Sequence, residues 1–404
     1  MNLRCLLAFA LCALALVPGV RLRAQQGAQQ EPTRPQEVSA AELRTAIDSL
    51  GKLDYDTRTK ASRTIRRSVA AQAVPALMQA VSDHADGYVR YRALVLLTGF
   101  NDPRARDVMR DVLTSPNDRL RSVGYAFLEH NPDRTLVPNL LSAMDKESGE
   151  FVRPALVRAL AAQGSVPGDE GARVRAVLVR EAGRGQDYFR TAVIEALGDF
   201  KAKYAYDPLA AIAALDGPLR NDTAIALGKI GDPRALNVLA TLQRTAPEAS
   251  QPYVAAAICL LGVNCETHEK FLVDTLNFAS TTTGFQPNLR ASAAGLAALG
   301  VAGRTQAAQA LFTVGITSKD PTRAPVSLAI ATIALRRTPL MMTILQTYPR
   351  RDAAIELMAE GFDILEEDYE KERFFAFVRR TYWDSPENSP ERELTRTLIG
   401  KLDF

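Results

Sequence analysis

"RNDTAIALGKIGDPRALNVLA", residues 220–240, decides the fold. An Ala/Leu-rich helical run ends at Gly231, which suits the left-handed turn that closes a helix. Asp232 offers an oxygen to cap the next helix, and Pro233 suits a first turn because it has no N–H to leave unpaired. The second run places Ala235, Val238, Leu239 and Leu242 at i, i+3, i+4 and i+7, one apolar stripe. The stretch is therefore two short helices back to back. Much the same phrase, "VRYRALVLLTGFNDPRARDVM", stands at residues 89–109.

The phrase is one turn of a repeat. An arginine near the start of each first helix recurs as Arg58, Arg90, Arg121, Arg153, Arg190, Arg220, Arg290 and Arg323. From Arg58 to Arg220 the spacings are 32, 31, 32, 37 and 30; the gap to Arg290 is 70, two periods, and the last is 33. The missing member falls at Tyr253-Val254. Seven residues beyond the arginine, on the same helical face, stand Ile65, Leu97, Leu128, Leu160, Leu197 and Leu227, with Ala297 in the Arg290 unit. Asp102, Asn131, Asp207 and Asp232 each precede a proline and are expected to cap second helices. "GSVPGDEG" and "GDFKAKYAYDP" are expected to be inserted loops.

A period of about 32 residues with two helices resembles a HEAT-repeat protein, of the bacterial type similar to the PBS-lyase HEAT-like group. "RNDTAIALGKIGDPRALNVLATL" carries that resemblance. It implies an all-α fold, an α–α superhelix of about nine helical pairs over residues 41–349. Residues 41–53 are expected to cover the open end. Residues 25–40, polar and Pro-containing, are expected to be disordered. Residues 350–404 break the period; they are expected to form two helices and a third from Ser389-Pro390, capping the last apolar face.

Residues 1–24 resemble a secretory signal peptide: Arg4, an apolar run from Cys5 to Val17, then Pro18-Gly19, with cleavage expected after Ala24. Thirteen helical residues span about 20 Å, short of a bilayer core of roughly 30 Å. The residue before Cys12 is Leu11, which does not suit a lipid anchor. Removing this segment, which holds three arginines and no acid, leaves 46 basic against 46 acidic residues. A neutral chain has no general attraction for nucleic acid or acidic lipid. Cys259 and Cys265 remain, in "CLLGVNCE", and a disulfide is expected between them in an oxidising compartment.

Catalytic signatures are scarce. His84, His130 and His268 lie in different units, with no paired spacing for a metal, and each is expected to be an ordinary surface or turn residue. HEAT-type iron hydroxylases carry several His-Glu pairs, and only His268-Glu269 occurs here. No G-x-S-x-G is present, and "GRG" (183–185) follows no strand. Asn221-Asp222-Thr223 is a glycosylation sequon at a helix start. The acidic run "EEDYEKE" (366–372) lacks the alternation of a Ca²⁺ loop and is expected to be a solvated helix face. The recurring arginine is expected to form a structural ladder, its guanidinium bonding turn carboxylates or carbonyls; the alternative is a positive ridge for an acidic ligand. Phe374, Phe377 and Val378 fall on one stripe, leaving Phe375 and Trp383 as candidate partner anchors.

The function expected from these features is an exported, non-catalytic scaffold that binds a protein or peptide on its solenoid surface, with no catalytic, cofactor or metal residues. The alternative implied by the resemblance is an enzyme, or enzyme accessory, that attaches or removes bilin pigments.

Overall fold

Most first helices of the repeat are buried on several sides, whereas most second helices carry one stripe, and this difference builds the molecule. In the unit quoted above, α12 (Arg220–Ile230) buries Thr223, Ala224, Ala226, Leu227, Gly228 and Ile230. The following α13 (Ala235–Thr245) buries only Ala235, Leu239 and Leu242. A helix buried on every side is one packed between two like neighbours and a third helix.

The computed structural model describes residues 31–404. The apolar leader, its expected cleavage site and residues 25–30 lie outside the described residues. Those described form helices and no strand; a single isolated bridge joins Gln36 and Ser68.

After α1 (Ala40–Ser49), nine helical pairs follow in order. They are α2 (Tyr55–Arg67) with α3 (Ala70–Asp83), α4 (Gly87–Thr98) with α5 (Ala105–Asp111), and α6 (Asp118–His130) with α7 (Val137–Lys146). Next come α8 (Arg153–Ala162) with α9 (Gly168–Ala182), α10 (Asp187–Asp199) with α11 (Tyr206–Ala213), and α12 with α13. The last three are α14 (Gln251–Leu260) with α15 (Cys265–Thr281), α16 (Gln286–Val301) with α17 (Thr305–Thr317), and α18 (Arg323–Arg336) with α19 (Thr338–Thr347). Three helices end the chain: α20 (Arg351–Ile364), α21 (Asp368–Asp384) and α22 (Pro390–Leu402).

From α4 to α20, consecutive first helices pack tightly on one another, while consecutive second helices touch sparingly. A stack with one crowded row and one splayed row bends toward the crowded row, so the first helices line the inner, concave side. Small residues set the crowding. A Cβ added to Gly198 would lie 2.8 Å from the Ala226 Cα, and one on Gly228 would lie 2.6 Å from the Ala257 carbonyl oxygen. On Gly361 it would lie 2.1 Å from the Ser327 carbonyl oxygen. The leucines seven residues past the ladder arginines are the seam: Leu97, Leu160, Leu197 and Leu227 are fully buried. Truncating any of them to alanine removes about 2–5 kcal/mol.

The turn chemistry holds at two of the four expected positions. Gly231 ends α12 at φ 72°, and the Asp232 and Asp102 carboxylates accept the N–H groups of Arg234 and Arg104. Asn131 instead donates its side-chain amide to the Phe127 carbonyl, and Asp207 lies inside α11. Ser389 caps α22 by accepting from the Arg392 N–H.

Both ends of the chain depart from the sequence reading. The described part of the lead-in is tied down: Gln36 donates to the Arg67 carbonyl, the Val69 N–H donates to Gln36, and the Gln72 side chain accepts from the Val38 N–H. Residues 350–404 do not form a simple terminal lid. Helix α20 extends the inner row beside α18, and α22 packs on α19 and α20. Helix α21 leaves the stack and lies against α18 on one side and against α4 and α6 on the other. The superhelix therefore closes on itself, with α21 as the piece between its two ends.

Candidate functional site

The closure is made of charges. Asp368 and Glu370, in the first turn of α21, sit where the positive end of the helix dipole favours carboxylates. Asp368 accepts from the Arg92 guanidinium at 2.6 Å and from the Tyr91 hydroxyl at 2.7 Å, both on α4. Glu370 bonds His130 of α6 at 2.6 Å and pairs with Arg373 and, from α18, with Arg336. Glu372 accepts two bonds from Arg66 of α2, at 2.9 and 2.7 Å, and pairs with Arg379. Tyr369 stacks on the His130 ring and enters the N-terminal core. Arg63 pairs with Asp403, and the Trp383 indole N–H donates to the Pro32 carbonyl.

The acidic run 366–372 is therefore not a solvated face. Tyr369, Glu370 and Glu372 are buried, because the curvature of the stack brings cations from the first repeats onto them. His130 is likewise part of this junction, not a plain surface residue. Phe375 and Trp383 are half-buried with partners inside the chain. Phe375 stacks on Phe404 at 4.1 Å with Arg66 over its ring, and Trp383 reaches Pro32. Neither is a free anchor.

Burial alone would raise the Glu370 carboxyl, yet the His130 hydrogen bond and the charges of Arg336, His130 and Arg373 outweigh it and hold it at about 2. Asp368 behaves alike: burial pushes it up, while Arg92, Tyr91 and Lys371 bring it below its ordinary value. A carboxyl held down in the folded chain stabilises it above its unfolded pKa, and that stabilisation drains as pH falls toward the folded value. For Glu370 the window runs from 4.5 to about 2 and is worth about 3 kcal/mol. We expect urea midpoints to fall through this window, and Glu370→Gln to flatten that part of the profile. Parallel profiles for the two proteins would refute it.

Glu129, His130 and Glu370 bring ligand atoms within 4.8 Å of one another. Their acceptors are engaged already: Arg158 holds Glu129 in a forked pair, and Arg336 and Arg373 hold Glu370. A divalent ion would have to displace guanidinium groups, so the donor set fits an ion-pair network and not a metal. The network continues along the inner wall from Arg158 to Asp199 and on to Lys229. Beside it, Glu195 of α10 and Asp222 of α12 have carboxyls pushed up by burial, with the Asp222 charge adding to the rise at Glu195.

The recurring arginines serve the stack. Arg58, Arg90, Arg121, Arg190, Arg220 and Arg323 each donate to a carbonyl at the end of the preceding helix or just past it: Leu53, Val81, Ser115, Ala182, Leu215 and Gly315. A cation there satisfies an orphan carbonyl and meets the negative end of the helix dipole. Arg121 also grips Glu147, and Arg323 grips Glu360. Arg153 bonds Glu181 and lies 3.8 Å over the Phe189 ring, whereas Arg290 is exposed. Cys259 and Cys265 are joined by a disulfide, with their Cα atoms 4.1 Å apart, between the end of α14 and the start of α15.

One surface escaped the sequence reading. Tyr55, Tyr88, Phe151 and Tyr188 are 64%, 38%, 77% and 55% exposed. Each stands at or just before the start of a first helix, so all four lie along the same rim of the stack, in units one, two, four and five. In unit three Arg119 takes the place and lies 5.6 Å over the Tyr88 ring. The signal stands two or three residues before Arg58, Arg90, Arg153 and Arg190.

A family model described as HEAT repeats matches residues 43–129. The described residues fold as an all-α superhelix, and the HEAT-repeat match covers its first units. No curated protein matches the sequence. Among solved structures, the CpcE–CpcF complex of phycocyanin lyase from a Nostoc species is similar at 20% identity, with TM-score 0.39 over 64% of this chain and 94% of that one. Human deoxyhypusine hydroxylase is similar at 19% identity and TM-score 0.28, over 55% and 96%. A mutant of Kap121p is similar at 12% identity and TM-score 0.43; the match spans 90% of this chain and half of that one.

Proposed function

We propose that the chain is an exported, non-catalytic scaffold that binds a protein or peptide partner along the aromatic rim. The observation that carries this is the row Tyr55, Tyr88, Phe151 and Tyr188, exposed in register with the repeat. Tyrosine is among the side chains that contribute most at protein interfaces, since its rigid ring buries much surface at little entropic cost. Export is supported by the leader-like residues 1–24 and by the Cys259–Cys265 disulfide, which belongs to an oxidising compartment. The non-catalytic reading is supported by the Glu129–His130–Glu370 cluster, whose members are engaged in hydrogen bonds and ion pairs.

The test is co-purification of the tagged mature protein from an extracytoplasmic fraction, beside a variant with all four rim aromatics replaced by alanine. Each exposed anchor is worth ~1 kcal/mol or more, so recovery of the partner is expected to fall at least tenfold. Thermal stability should not change, because these side chains face solvent. Equal recovery with the two proteins would dismiss the rim.

A further inference from the structure

Helix α21 makes two different kinds of contact. Toward the last repeats it is mainly apolar: Phe374, Val378 and Tyr382 pack with Phe362, Leu394 and Leu398 in the C-terminal core, with Arg336 on Glu370 as one ion pair beside them. Toward the first repeats it is ionic, with Asp368 on Arg92 and Tyr91, Glu370 on His130, and Glu372 on Arg66. Tyr369 is the only α21 residue in the N-terminal core cluster. The receiving face is shaped for carboxylates. Arg66 is buried there, and Gly99 leaves a hollow in which an added Cβ would come within 2.6 Å of the Glu372 Oε1.

The junction is also the place where the ring parts most easily. Each unit of a solenoid holds only its neighbours, and small rotations add along the stack. Separating α21 from α2, α4 and α6 breaks no repeat, and polar contacts of this composition are the ones that exchange partners.

We propose that the inner face of α2, α4 and α6 is a binding site for an acidic amphipathic helix of a partner protein, occupied in the free chain by its own α21. The incoming helix carries carboxylates at i and i+4 with an aromatic at i+1, the pattern of Asp368, Tyr369 and Glu372. It enters as the ring opens and takes the same cations. The site touches the aromatic rim at Tyr88, whose ring lies 6.0 Å from that of Tyr91, but the peptide test below reads the site without the rim's partner, so the two readings fail separately.

The test uses the full mature chain and a fluorescein-labelled peptide of sequence 368–384, followed by anisotropy. In the native protein the tethered α21 competes at an effective concentration near millimolar, so the added peptide binds weakly. In Asp368→Lys with Glu370→Lys the tethered copy is mismatched while the receiving face is intact. The peptide is then expected to bind at least tenfold tighter, and X-ray scattering to show an enlarged radius of gyration. A peptide with its acids changed to glutamine should not bind. If the lysine variant loses its helical circular dichroism, Asp368→Asn with Glu370→Gln is held to the same criteria. A folded variant that stays closed, one that opens without binding the peptide, or equal binding to native and variant chains would each overturn the proposal.

Discussion

Glu372→Gln is expected to cost the folded chain about 3–5 kcal/mol, a large share of any domain's stability. The carboxylate is 1% exposed and takes two bonds from Arg66, itself 6% exposed. The amide keeps the shape but removes the charge, leaving a buried guanidinium whose desolvation is no longer offset. Chemical denaturation measures the loss. A control sharpens it: Glu387→Gln, on an exposed turn beyond α21, should stay within about 0.5 kcal/mol of the native protein. Equal, small effects at both positions would mean that α21 does not close the ring.

Gly361→Ala is the second large effect. Its Cβ would fall 2.1 Å from the Ser327 carbonyl oxygen and 2.7 Å from the Ala331 Cβ, so α18 and α20 must separate. Backbone cannot rotate aside as a long side chain can, and overpacking of this kind costs ~3 kcal/mol or more. Alanine returns ~1 kcal/mol through helix propensity, for a net loss of about 2 kcal/mol or more. Gly400→Ala in α22 meets nothing within 4 Å and should instead stabilise by up to ~1 kcal/mol. Opposite signs in the two urea midpoints are the expected result, and a stabilising Gly361→Ala would refute the crowded inner row. The same substitution also relaxes the bend, so it should loosen the contact of α21 with Arg66 and Arg92 although it lies in another helix.

The stack was legible because its determinants are local. An arginine donating to a carbonyl five to nine residues back, a leucine seven residues on, and Gly231 at a left-handed turn all repeat within one period. The junction was not legible, for a physical reason. Glu372 and Arg66 are 306 residues apart, and their meeting depends on the summed curvature of nine helical pairs. Read alone, "EEDYEKE" carries only helix-surface chemistry; nothing within it names the arginines that bury it. The role of Phe375 is hidden for the same reason. It stands off the stripe of its own helix, yet Phe404, the last residue, comes back to stack on it. The rim aromatics are less legible for another reason: their position holds Tyr, Phe or Arg119 from unit to unit, whereas the ladder arginine beside it is constant over the same units.

The distance between Arg66 and its carboxylate also orders events at the ribosome. With translation at about 5–20 residues per second, some 15–60 s pass between the synthesis of α2 and that of its counter-ion. During that interval the first repeats present an uncovered cationic surface, within reach of any acidic chaperone that meets the nascent chain.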